Sequence, residues 1–389
     1  MNSKDEWLDP LYIENFLTEE EKAIRDNTRN FCNKKLLPTV VENNRNYFFD
    51  KEIYKEFGSM GLLGSNVKGY GSPEINKVSY GLIAFEAESI DSSYRSAISV
   101  QSSLVCHPIE SFGSEDQKKN YLPDLIKGNL IGCFGLTESE AGSDPASMKT
   151  NFIEHSDCYE LNGSKNWITN APIADIFLIC ALNEKKEVRI FIVPKKTKGL
   201  YTSIIKNKTS LKISTTGQIV LEGVKIPKEN ILPKTKGWKS VFSCLNNARY
   251  GIAWGVLGAA KNSWLIAKDY TENRIMFKKP LAANQLIQKK LAVMQTEISI
   301  GLSACLHAGR SFDKGRDIKI AISMLKRNNC KKAIEITRQS RDMMGANGLL
   351  EEYHVMRHMI NLETVKTYEG AEDIHALILG KFQTNMDSF

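Results

Sequence analysis

Apolar residues recur at three- to four-residue spacing between charged ones over residues 19–33, 75–90 and 116–126, which predicts helices through the first third of the chain. Asp91 and Ser92 stand ahead of Tyr94-Arg-Ser-Ala-Ile-Ser99 and can cap a new helix, on which Arg95 and Ser99 share a face. After about residue 130 the texture changes. Residues 158–169 read as two alternating runs around Asn162-Gly163, a dipeptide that tolerates positive φ, so a hairpin is expected there. Residues 176–181, 188–193 and 219–224 are short β-branched runs. From about Trp238 the helical period returns: Leu291, Met294, Ile298, Leu302 and Cys305 line one face, and Ile318, Ile322, Leu325 and Asn329 another. Gly251, Gly255 and Gly258 fall on a helix face where backbones can approach closely. This order predicts a mainly α fold with a central β domain: an N-terminal helical domain (1–131), a small β-barrel (132–237) and a C-terminal four-helix bundle (238–389).

Composition narrows the class. With 42% hydrophobic and 25% charged residues over 389 positions, the chain is that of a soluble globular protein of two or three units. Its first residues carry acids and no apolar core, unlike a secretory or transit peptide. The longest apolar stretch, near residues 250–260, is too short for a bilayer and predicts a buried helix rather than a membrane span. Eight scattered Cys, without a Cys-x-x-Cys pair or zinc-type His spacing, predict reduced, mostly buried thiols and no metal site. The net charge of +7 suits nucleic acid or an anionic small molecule; because the lysines are dispersed, the small molecule needs no nucleic acid beside it.

Three places could carry chemistry. Phe134-Gly-Leu-Thr-Glu138 leads into Ala141-Gly-Ser-Asp144, either a cradle for a phosphate or flavin edge or an ordinary capped loop. Glu369, in Tyr368-Glu-Gly370 ahead of an apolar closing helix, is either a desolvated general base or a salt-bridged helix-start residue. Arg95, among small polar residues, is either a carboxylate clamp or surface charge. Pattern alone leaves each pair open.

Taken in order and spacing, Phe134-Gly-Leu-Thr-Glu, Ala141-Gly-Ser-Asp, Trp167-Ile-Thr, Arg274-x-x-Phe277, Gly345-x-Asn-Gly348 and Tyr368-Glu-Gly resemble the motifs of the acyl-CoA dehydrogenase family, from about residue 8 to Phe389. Residues 94–103, 244–254, 284–291 and 373–380 are similar to its glutaryl-CoA subfamily. The resemblance implies an FAD enzyme in which Glu369 removes the α-proton of a thioester and a β-hydride passes to the flavin. It implies flavin contacts at Phe134, Leu136, Thr137, Ser143, Trp167, Ile168 and Thr169. Arg274, Gln285, Asp342, Gly345 and Ala346 would reach FAD across a subunit interface of a homotetramer, a dimer of dimers, with Phe277, Ala371 and Phe389 also at the cofactor. Ser143, Phe242, Leu245, Asn246, Arg249, Tyr368 and Gly370 would face the acyl-CoA. Arg95, with Glu88, Ser96 and Ser99, would bind the distal carboxylate of glutaryl-CoA before CO2 is lost to give crotonyl-CoA. Electrons would go to an electron-transfer flavoprotein.

The chain departs from the family pattern twice. Ala371 replaces the usual Thr, and Ala346 puts a methyl in a Gly-Gly-Asn-Gly stretch, each weakening FAD by about 1 kcal/mol. Alternatives are a non-decarboxylating glutaryl-CoA dehydrogenase, a short-chain dehydrogenase and a non-catalytic flavin-fold nucleic-acid binder. The expected location is cytoplasmic for a bacterial chain and the mitochondrial matrix for a processed eukaryotic one.

Overall fold

The computed structural model describes residues 6–387. The helices α1 (Glu19–Phe31), α2 (Val40–Asn46), α3 (Ile53–Ser59), α4 (Lys77–Ile90), α5 (Ser92–Ser99), α6 (His107–Phe112) and α7 (Glu115–Ile126) come first. Strands β1 (Gly132–Gly135), β2 (Asn151–Glu154), β3 (Cys158–Thr169), β4 (Ile176–Leu182), β5 (Val188–Pro194), β6 (Leu200–Ile204) and β7 (Thr216–Pro227) form one sheet. Then follow α8 (Gly237–Asn273), the two-stranded β8 (Ile275–Met276) and β9 (Lys279–Pro280), α9 (Gln285–Asp313), α10 (Lys319–Met343), α11 (Val355–Thr367) and α12 (Glu372–Thr384). Among the described residues, no helix is long and apolar enough to cross a membrane.

Local signals explain the first helices. Thr18 and Glu21 form a reciprocal capping box at the start of α1, and Asn76 caps α4 through the Ser79 N–H. The helix expected to reach residue 33 instead widens after Phe31 into a π turn, Cys32–Leu36. Helix α4 shows little amphipathic contrast because it is buried almost all round, packed against α1, α8 and α9. Its approach to α8 is permitted by the expected glycine stripe. A Cβ on Gly251 would stand 3.0 Å from the Tyr80 hydroxyl, on Gly255 2.1 Å from Glu88 Oε2, and on Gly258 2.0 Å from the Phe85 carbonyl oxygen.

The β region corrects two expectations. Residues 158–169 are not a hairpin but one strand, paired with β7 on both sides of Asn162-Gly163, with a register shift between Leu161 and Gly163. The dipeptide makes a bulge: the Asn162 side chain accepts the Gly223 N–H at 2.7 Å, and Gly163 takes a φ of 141° where a Cβ would strike Thr150. The sheet also curls without closing into a barrel, since β5 pairs only with β4 along its length and β6 only with β7.

The C-terminal region has three long helices, α8 to α10, and two of 13 residues, rather than four long ones. Two breaks shorten the last pair: the 3-10 turns after Met343 and the positive-φ pair Glu369-Gly370. Asp91 caps α5 as expected, accepting the Ser93 N–H at 2.8 Å. Its second oxygen accepts Arg357 Nε and Asn361 Nδ2, each at 2.9 Å, and so fixes the start of α5 to α11.

Gly258→Ala forces a Cβ onto backbone and is expected to destabilise by about 1–3 kcal/mol in thermal or denaturant unfolding. Gly380→Ala, in mid-α12 with nothing within 4 Å of the added Cβ, is expected to be neutral or to stabilise by up to about 1 kcal/mol. Equal losses at the two positions would contradict the glycine-stripe explanation.

Candidate active site

Between α11 and α12 the chain turns through Tyr368–Ala371. Glu369 adopts a left-handed φ of 54° and Gly370 one of 97°. Such a backbone costs a non-glycine residue roughly 1–2 kcal/mol and persists only where its surroundings over-determine it. Here they do. Arg249, from α8, donates Nε to the Glu369 carbonyl at 2.7 Å. Lys326, from α10, donates Nζ to the carbonyls of Lys366, Tyr368 and Gly370 at 3.2, 2.9 and 2.7 Å. Gly370 is required as well, because a Cβ there would lie 2.8 Å from the His375 ring.

The Glu369 residue is half-buried, yet its Oε2 is shielded from solvent and has no hydrogen-bond partner. Burial raises its pKa above the usual carboxylate range, against the opposing pull of Arg95, Arg249 and Lys326. A carboxylate so placed, with a free oxygen and raised proton affinity, suits proton abstraction.

Arg95 is not surface charge: it is 1% exposed. Its Nε donates to Glu88 Oε2 at 2.7 Å and its Nη2 to the Tyr368 hydroxyl, with the guanidinium 5.7 Å from the Tyr368 ring centroid. Burial works against this charge, but Glu88 and Tyr368 outweigh it and raise the pKa further. Burial likewise pushes the Tyr368 hydroxyl up. Two atoms of the cluster, Arg95 Nη1 and Glu88 Oε1, are buried without partners. Buried polar atoms are normally satisfied, so both members of this ion pair keep unused hydrogen-bonding capacity. Ser96 and Ser99 are buried on the same short helix.

A second group forms where β1 meets β3. Phe134, Leu136 and Ile168 are buried, Thr137 and Thr169 half-buried, and Trp167 is 59% exposed with φ 60°. The Asn166 N–H binds the Thr137 carbonyl at 2.8 Å. Buried Lys165 donates to the Leu136 carbonyl at 3.0 Å and to Glu138 Oε1 at 2.8 Å, while Glu138 accepts the N–H groups of Lys149 and Thr150. The loop after β1 is thus held rigidly beside an exposed indole and two threonines. A planar aromatic cofactor with polar edges fits such a face.

A third group stands apart. Arg274, Phe277 (88% exposed), Gln285, Asp342, Gly345 and Ala346 lie on the outside of the chain, and no hydrogen bond among the described residues joins them to the Glu369 cluster. Asp342 is paired with Lys290 at 2.6 Å, and a cavity of about 630 Å³ is lined here by Tyr270, Arg274, Asn347 and Tyr353. Of the remaining expected residues, Asn246 accepts Arg249 Nη1 at 3.3 Å, Leu245 is buried, and Phe242 is 40% exposed beside Trp238. Ser143 is exposed in its loop, Ala371 precedes α12 without a side-chain cap, and Phe389 lies outside the described residues.

Lys326 and Lys165 were not anticipated. Lys326 had a signal, a lysine four residues after Ile322 on the apolar face of α10. Lys165 had none, since its partner Glu138 is 27 residues away.

Family models describing the N-terminal, middle and C-terminal domains of acyl-CoA dehydrogenase match residues 18–129, 133–224 and 235–383. A solved glutaryl-CoA dehydrogenase from Mycobacterium smegmatis, in complex with FADH2, is 41% identical with a TM-score of 0.95, covering 97% of each chain. A short-chain specific acyl-CoA dehydrogenase of Megasphaera elsdenii is 32% identical over 94% of this chain and 98% of its own. A chain in a structure described as an electron transferring flavoprotein of Acidaminococcus fermentans is 30% identical with a TM-score of 0.92, covering 95% of this chain and 99% of its own. Matched in all three of its regions, the chain belongs to the acyl-CoA dehydrogenase family.

Proposed function

We propose that the protein is an FAD-dependent glutaryl-CoA dehydrogenase that converts its substrate to crotonyl-CoA and CO2. The observation that carries the substrate choice is Arg95, buried and charged beside Glu88, with Nη1 unpartnered in the same cluster as Tyr368 and Glu369. A distal carboxylate would satisfy that nitrogen, whereas a plain alkyl chain would leave it orphaned. The similarity to the Mycobacterium smegmatis enzyme supports the same reading.

FAD, when bound, supplies the two-electron acceptor for the β-hydride. The strip Phe134–Thr137 with Trp167–Thr169 would hold its ring. Arg274, Phe277, Gln285 and the 342–346 turn would reach it from a neighbouring subunit in a homotetramer, a role consistent with their exposure here. Glu369 takes the α-proton while its own N–H faces the thioester carbonyl. With the acyl chain oxidised, its carboxylate lies vinylogous to the thioester, and CO2 departs leaving its electron pair as a dienolate that a proton quenches at the γ-carbon. Electrons then leave to an electron-transfer flavoprotein, a partner suggested by the Acidaminococcus similarity. The domain limits proposed are 1–131, 132–237 and 238–389.

One observation favours a short-chain acyl-CoA as substrate instead: Arg95 is already neutralised by Glu88, so its charge does not by itself require a ligand carboxylate. The Megasphaera elsdenii relative points the same way.

Glu369→Gln is expected to lower the rate of flavin reduction by about 10²–10⁴-fold, the usual worth of a general base, with FAD retained. Substantial turnover in that variant would remove Glu369 from the role. Arg95→Ala is expected to cost glutaryl-CoA about 2–5 kcal/mol in kcat/KM, the penalty for truncating one side of a buried charge pair, and butyryl-CoA far less. Equal losses on both substrates would favour the short-chain reading.

A further inference from the structure

Lys326 is 1% exposed and, among the described residues, forms no ion pair with a carboxylate; its three bonds all go to backbone carbonyls. Three acceptors around one nitrogen require three hydrogens, which only the ammonium form carries. Those acceptors are not arbitrary. Lys366 lies in the last turn of α11, where carbonyls lack helical partners and a cation is favourable. Tyr368 and Gly370 flank Glu369, and Arg249 binds the carbonyl between them. Every carbonyl from Tyr368 to Gly370 is therefore held by a cation from the bundle. With those carbonyls fixed, the peptide planes on either side of Glu369 cannot rotate, and its side chain leaves a left-handed backbone in one direction.

We infer that Lys326 is the positioning residue of the proton-abstraction step: its ammonium clamps the backbone on both sides of Glu369 and supplies a positive charge beside that carboxylate. The inference rests on Glu369 being the base and extends that reading to how the base is held. The groups facing Glu369 come from every surrounding element: Tyr80 from α4, Arg95 from α5, Arg249 from α8, Lys326 from α10, Tyr368 in its own turn, and His375 from α12. Of the cations, Arg95 is engaged with Glu88 and Tyr368, whereas among the described residues neither Arg249 nor Lys326 forms an ion pair with a carboxylate. The Lys326 charge thus acts on Glu369: burial raises the Glu369 pKa and lowers that of Lys326, and each group opposes that shift on the other.

The test compares Lys326→Met, which keeps length but loses charge and donors, with Lys326→Gln, which keeps two N–H groups but loses the charge, one donor and one atom of reach. Both are made as FAD-loaded full-length protein, and flavin reduction by acyl-CoA is followed across pH. In Lys326→Met the limiting rate is expected to fall about a hundredfold, the scale of a 1 Å misplacement, with KM and flavin content near wild type. The acid limb of the rate profile is expected to move to higher pH in both variants, because a carboxylate that loses a neighbouring cation binds its proton more tightly. Lys326→Gln is expected to recover part of the rate but not the acid limb. An unmoved acid limb overturns the proposal whatever the rate, and if Lys326→Met does not fold, Lys326→Gln alone decides by that limb. The two readings separate cleanly: turnover retained in Glu369→Gln removes the base itself, whereas a dead Glu369→Gln beside wild-type behaviour at Lys326→Met overturns only the clamp.

Discussion

The fold turns on how two cations from the bundle grip a four-residue turn. Between α11 and α12 the backbone passes through left-handed Glu369 and Gly370, a conformation that is unfavourable for Glu in isolation. Arg249 and Lys326 reach that turn from α8 and α10 and bind its carbonyls one after another. The same contacts that offset the backbone strain carry positive charge toward a carboxylate whose pKa burial raises, and oppose that rise. Structure and reactivity are in this sense one arrangement, since loosening the turn would release both the geometry and the field.

The opposite wall depends on a different constraint, the closeness of α4 to α8. Gly255 leaves room for Glu88, whose oxygen occupies the space a side chain would take, and Glu88 in turn receives Arg95 from α5. Asp91 fixes where α5 begins and ties it through Arg357 and Asn361 to α11, the helix that leads into the Glu369 turn. Asn361 also accepts the Leu211 N–H at 2.8 Å, joining this wall to the loop ahead of β7. Charged groups of the site thus arrive from four helices.

Much of this was legible in the sequence. The periodicity of the long helices, the cap at Asp91 and the glycine stripe depend on neighbours within a few residues or on a single repeated spacing, and they appear as expected. Asn162-Gly163 misled because a bulge and a hairpin make the same demand for positive φ; only the continuation of pairing into β7 separates them. The barrel that proved to be an open, curled sheet is a similar case, because closure depends on strand pairing and not on strand composition. Lys165 and Glu138 meet across 27 residues without a linking pattern. The ordered motifs pointed to Glu369 and Arg95, but not to the partnerless Nη1 and Oε1 that give the Arg95–Glu88 pair its interest, since satisfaction of a polar atom is a property of the packed site alone.

In the function proposed, Arg95 and Glu369 act on the two ends of one five-carbon diacid thioester. That function is tested most directly by offering the FAD-loaded protein glutaryl-CoA and butyryl-CoA in parallel with an artificial electron acceptor, and identifying the acyl products by mass. Rapid turnover of glutaryl-CoA to crotonyl-CoA with stoichiometric CO2, and slow turnover of butyryl-CoA, are expected. Butyryl-CoA oxidised readily while glutaryl-CoA leaves the flavin unreduced would contradict it.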